Sequence, residues 1–116
     1  HKAVSAVNYP GLPNDPAHAL AEAYCPRGAG ALITCQLAGG YEAAVSFVQR
    51  LRLFSSLSEV GDTRSRASHP ASTTHRHLSD VEKTAAIAGP DLIRLSIGIE
   101  DVADIIADLD QAFATG

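Results

Sequence analysis

The stretch GPDLIRLSIGIEDVADIIADLDQAF, residues 89–113, carries two different periodicities in succession. From Leu92 to Ile99 the apolar residues alternate, as on a strand whose side chains point to opposite faces. From Val102 they recur every three or four residues. Val102, Ile105, Ile106, Leu109 and Phe113 make one stripe of a helix, with acidic residues in the first turn to suit the helix dipole. A strand with one apolar face beside a helix with one apolar stripe calls for a layered build, because each covers the other. The alternation puts Leu92, Arg94, Ser96 and Gly98 on one face and Ile93, Leu95, Ile97 and Ile99 on the other. With helices over the isoleucine face, Arg94 points away from them, toward solvent or another domain. Burying it alone under the helices would cost several kcal/mol.

Strands and helices interleave through the rest of the chain. In NDPAHALAEAYC, Asn14 or Asp15 is placed to cap and Pro16 suits a first turn. Ala17, Leu20, Ala21 and Tyr24 then repeat at helical spacing, which predicts a helix with one buried stripe. ALITCQL, residues 31–37, is bounded by glycines and predicts a strand. Beyond Gly39 and Gly40, residues Tyr41, Ala44, Val45, Val48 and Leu51 mark one face of a second helix, with Gln49, Arg50 and Arg52 on its wetter side. The polar middle, residues 53–79, predicts two short strands around the Gly61-Asp62 turn and a loop that Pro70 begins. Ser79 and Glu82 make a capping box, so a short helix is expected to run to about Ala88. The expected architecture is α+β: a small, mostly antiparallel sheet with helices packed on one face, the 116 residues forming a single domain.

A chain of this length can bury roughly two-thirds of the surface exposed by its unfolded form. Nine Lys and Arg stand against 13 Asp and Glu, with no basic run and 5% aromatic residues. That balance offers neither a phosphate-tracking stripe nor a base-stacking platform, so no nucleic-acid partner is expected. No apolar run approaches the ~20 residues of a membrane span, and no charged segment leads into an apolar signal core. The expected setting is the cytoplasm, away from membranes. Cys25 and Cys35 are read as two buried thiols rather than a disulfide. The text opens without methionine in an extended apolar run, as a piece of something longer would.

Two places offer chemistry. Arg94 reads either as a surface arginine on an open sheet face or as a bidentate clamp for a carboxylate or phosphate, which its planar fork suits better than lysine would. The loop SHPASTTHRH holds His69, His75 and His77, whose spacing matches no compact zinc pattern, so no metal site is expected. The hydroxyls of Ser72, Thr73 and Thr74 serve equally well as turn partners. There is no nucleophile elbow and no phosphate loop. Neither Lys2 nor Lys83 is a persuasive Schiff-base nucleophile. The residues alone describe a binding surface without a reaction.

Taken together and in order, VNYPGLPNDPAHALAEAY, GGYEAAVSFVQRLRLFS, VGD, SHPASTTHRHLS and GPDLIRLSIGIEDVADIIADLDQAF resemble the C-terminal domain of the cysteine and methionine metabolism family of pyridoxal phosphate enzymes. HPASTTH and VGD are most similar to its O-acetylhomoserine sulfhydrylase branch. The resemblance implies a fold type I enzyme that makes homocysteine from O-acetylhomoserine and sulfide. It implies pyridoxal 5'-phosphate as cofactor in the intact enzyme, with the Schiff-base lysine in a large domain upstream of this chain. It further implies a homo-oligomer, usually a tetramer, whose small C-terminal domain closes over the amino-acid substrate. The family's clamp for the substrate α-carboxylate falls on Arg94, and the threonine near the same site falls on Thr74. Glu59 stands where relatives usually carry Asn or Ser, and an acid there would pair with Arg94 or repel the substrate. Arg66 and Ser68 stand where the family tends to be aliphatic, which suggests an exposed or interface-facing strand. The alternatives are a cystathionine γ-synthase or γ-lyase of the same family, or a stand-alone domain that binds carboxylates or a partner. In none of these readings is the chain catalytic alone, and no catalytic, cofactor-binding or metal residue is assigned within it.

Overall fold

In the computed structural model, which describes residues 1–114, the alternating stretches form five strands: Val4–Asn8 (β1), Leu32–Leu37 (β2), Ser55–Ser56 (β3), Arg66–Ser68 (β4) and Leu92–Ser96 (β5). They make one sheet in the order β1-β2-β5-β4-β3. β5 lies at its centre, antiparallel to both β2 and β4. Four helices complete the chain: His18–Tyr24 (α1), Gly40–Arg50 (α2), Asp80–Ala85 (α3) and Val102–Phe113 (α4), with a 3-10 turn at Pro70–Ser72. The α+β expectation holds. The two short middle strands differ from their expected pairing, because β3 and β4 run parallel rather than as a hairpin. The chain between them, around Gly61, makes a return loop instead of a tight turn.

The core lies between the sheet and the α2/α4 layer. Ile93 packs with Leu37, Ala44, Phe47 and Ala112, while Leu95 packs with Phe54, Ala67 and Ile105. Phe47, which falls outside the stripe expected for the second helix, is 2% exposed and stacks on Phe113 at 4.3 Å between ring centroids. The expected stripe of the last helix is rotated. Val102 and Ile106 are exposed, and Ile105, Asp108 and Ala112 form the buried line. Asp108 accounts for the rotation. Its carboxylate accepts from the backbone N–H groups of Arg52 and Leu53, at 2.9 and 2.8 Å, and from Gln111 Nε2 at 3.0 Å. The N–H groups of Arg52, Leu53 and Phe54, left unpaired where the chain leaves α2, draw a charge into the interior.

Four further expectations differ from the structure. α1 buries no residue, with Leu20 and Tyr24 both exposed, and Cys25 at its end is exposed rather than buried. The capping box is present, with Ser79 N–H donating to Glu82 at 2.8 Å, but α3 stops at Ala85 because Ile87 takes a left-handed backbone with φ of 53°. β5 ends at Ser96, so Ile99 is exposed instead of lying on the helix-covered face.

Candidate functional site: the polar sheet face around Arg94

Sheet register decides what surrounds Arg94. Thr34 on β2 and Ser68 on β4 lie directly opposite it, and Asn8 on β1 lies opposite Thr34. Residues directly paired across strands share a face, so Asn8, Thr34, Arg94 and Ser68 form a polar row across the sheet. Asn8 Nδ2 donates to Thr34 Oγ1 at 3.1 Å. The next row carries Leu32, Ser96 and Arg66. Ser96 Oγ is buried and has no hydrogen-bond partner among the described residues. The neighbours in each strand, Ile93 and Leu95, belong to the core beneath α2 and α4. Arg94 therefore faces away from the helices, as its position in the alternation predicts.

Arg94 is half-buried as a residue, and its Nη2 donates to the Ser58 carbonyl at 2.7 Å. Among the described residues that is its one hydrogen bond, and no carboxylate pairs with it. A single backbone carbonyl fixes the fork's direction without neutralising its charge. The arrangement suits an incoming carboxylate, which takes two parallel N–H donors from such a fork.

Glu59 follows Ser58, whose carbonyl receives Arg94, and its carboxylate lies with the other arginine: Oε2 is 3.6 Å from Arg66 Nη2. Arg66 is 4% exposed, so of the two expectations for β4, an exposed or an interface-facing strand, the exposed one does not hold. Its Nε donates to Asp62 Oδ2 at 3.0 Å, and Nη2 donates to the same oxygen. The Arg64 backbone N–H and then the Arg66 guanidinium hold the Asp62 carboxyl down to about 2. A pair of this kind lets the arginine lie buried in a strand without leaving a lone charge.

Thr74 is exposed, just past the 3-10 turn, and its hydroxyl lies 2.8 Å from His75 Nδ1. No contact links it to Arg94 among the described residues. His69 is a strut: it is 2% exposed, with Nε2 2.8 Å from the Pro90 carbonyl and Nδ1 2.8 Å from Ser72 Oγ. A carbonyl only accepts, so Nε2 carries the proton in this contact. The strut fixes the start of the SHPASTTH loop against the turn that leads into β5. Ser58 and Thr34 escape a reading of the sequence alone, since one acts through its backbone and the other through register.

Among the described residues no helix is long and apolar enough to cross a membrane. The chain is similar to O-acetyl-L-homoserine sulfhydrylase 1 of Thermus thermophilus, 51% identical over 111 residues that make up 96% of this chain and 26% of that protein. A crystal structure described as an O-acetylhomoserine (thiol)-lyase of Campylobacter jejuni, which carries a pyridoxyl-lysine monophosphate, matches with a TM-score of 0.91 and 38% identity over 99% of this chain and 27% of that one. A cystathionine gamma lyase of Micromonospora echinospora matches with a TM-score of 0.90 and 39% identity over all of this chain and 30% of that one. The chain thus spans about a quarter of the length of the curated relatives that it matches. The model of the Cys/Met metabolism PLP-dependent enzymes matches residues 1–114, with the polar sheet face inside the matched region, and the chain belongs to that family.

Proposed function

We propose that this chain is the C-terminal domain of a larger cytoplasmic, oligomeric O-acetylhomoserine sulfhydrylase, and that Arg94 clamps the substrate α-carboxylate. The observation that carries the reading is the Arg94 guanidinium, oriented by the Ser58 carbonyl yet without a carboxylate partner among the described residues. In the reaction the Cγ–O bond of O-acetylhomoserine breaks, acetate leaves with the bonding pair, and sulfide forms the new Cγ–S bond of homocysteine. Holding the carboxylate fixes the amino-acid backbone, which converts a diffusive encounter into an oriented one.

Pyridoxal phosphate, when bound, supplies the electron sink for chemistry at the amino acid's carbon skeleton. The residues of this chain fit the substrate end of such a site. Lys2 lines a hollow with Phe47 and Phe113 on the helix-covered side, and Lys83 lines another with Tyr41 and Pro90. Neither belongs to the polar rows around Arg94, so no cofactor contact is assigned to this chain. Thr74 is proposed to border the substrate from the SHPASTTH loop.

The likeness to a cystathionine gamma lyase favours one second reading, a γ-synthase or γ-lyase of the same family. Assays of the full-length enzyme separate the readings. The sulfhydrylase predicts that sulfide and O-acetylhomoserine yield homocysteine and acetate in equal amounts. Cystathionine formed preferentially from cysteine, or ammonia and a 2-oxo acid released from cystathionine or methionine, would overturn it in favour of the second reading.

A further inference from the structure

The position of Arg66 raises a question that the clamp alone does not answer: why a buried cation stands beside a second one on the same face. Arg66 lies opposite Ser96, and Arg94 lies opposite Ser68, so the two arginines are diagonal neighbours on adjacent strands. Around them sit two carboxylates. Asp62 takes both the Nε and Nη2 donors of Arg66, and Glu59 lies 3.6 Å from Nη2. Glu59 is also the residue after Ser58, whose carbonyl receives Arg94. Its side chain is 67% exposed and thus free to swing.

A carboxylate tethered this close to Arg94 acts as an internal competitor. A tethered carboxylate is always at hand, and an exposed ion pair worth up to about 1 kcal/mol would compete with the substrate about fivefold. Left to itself, Glu59 would occupy the fork that a substrate carboxylate needs. We infer that Arg66 is a positioning residue that holds the Glu59 carboxylate away from Arg94, so the clamp stays open for the substrate. The inference rests on the clamp reading of Arg94.

The test uses the full-length enzyme. Arg66→Leu is expected to raise KM for the amino-acid substrate about fivefold with kcat held within about twofold, the effect of admitting one exposed ion pair as competitor. Adding Glu59→Gln is expected to return KM to within about twofold of the parent, because the competitor is gone. Arg66→Lys keeps the charge and is expected to stay near the parent value. If the leucine variant does not fold, Arg66→Gln, which keeps a donor for Asp62 without the charge, is read in the same way. An unchanged KM on loss of the charge overturns the inference. So does a KM rise that persists in the Glu59→Gln background, since a merely structural defect would not depend on Glu59. The clamp is read separately from Arg94→Ala: if Arg94 is required while the Arg66 effect is absent, only the present inference falls.

Discussion

Asp108 shows how one residue sets a contact between elements. Burial works against its charge, yet the N–H groups of Arg52, Leu53 and Phe54, together with Gln111, outweigh that cost and hold its carboxyl below the ordinary value. A carboxyl with a depressed folded pKa stabilises the fold in full above the unfolded value of about 3.9, and the contribution is lost as the pH falls through the folded value. Asp108→Asn replaces an acceptor oxygen with a donor facing other donors. It is expected to cost about 2 kcal/mol at neutral pH, a typical value for hydrogen bonds to a charged group. Denaturant midpoints measured across pH should show this deficit shrinking as the pH falls below about 4, the unfolded value, and vanishing only below the depressed folded value, where the parent carboxylate is itself protonated. A deficit that stays constant into acid would contradict this role for Asp108. Nothing in the local text marks this residue, since an acid on a helix normally reads as part of the solvated face. Its role depends on which backbone groups α2 leaves unpaired.

Among the elements, the end of β5 is the most constrained. Ser65, fully buried, donates through N–H to Glu100 Oε1 at 2.7 Å and through Oγ to Glu100 Oε2 at 2.9 Å, while Gly98 N–H donates to Ser65 Oγ at 2.9 Å. A Cβ at Gly98 would collide with the Thr63 carbonyl and come within 2.6 Å of the Arg64 carbonyl carbon. Both are backbone and cannot rotate aside. Gly98→Ala is therefore expected to destabilise by about 2 kcal/mol, within the range for overpacking. Because the displaced segment leads into Arg66, the same variant should raise KM, and a variant that keeps both the parent Tm and KM would contradict this packing. The alternation in β5, the amphipathic text of α4 and the capping box of α3 were all legible, because local periodicity and capping chemistry determine them. The parallel pairing of β3 with β4 was not, since two-residue and three-residue strands carry no periodic signal. α1 shows the reverse limit: its stripe reads as buried, but among the described residues Ala17 and Ala21 are only half-covered and Leu20 and Tyr24 are exposed.

At the scale of the whole molecule, the sheet divides two tasks. One face is closed by α2 and α4 and supplies the core. The other carries hydroxyls and two guanidiniums whose charges differ in use, one neutralised within the chain and one left available. Arg94 was legible as the residue of interest from its place in an apolar alternation. Its setting was not, because the Ser58 carbonyl, the Thr34–Ser68 row and the Arg66 pairing depend on register and on a return loop. The role of this sheet face turns on whether the Arg94 guanidinium receives the substrate. The most direct measurement is kcat/KM for O-acetylhomoserine in the full-length enzyme carrying Arg94→Ala, set beside the parent. Loss of one charge-assisted, bidentate contact predicts a fall of roughly 10- to 100-fold, mostly through KM. An unchanged kcat/KM would contradict the clamp.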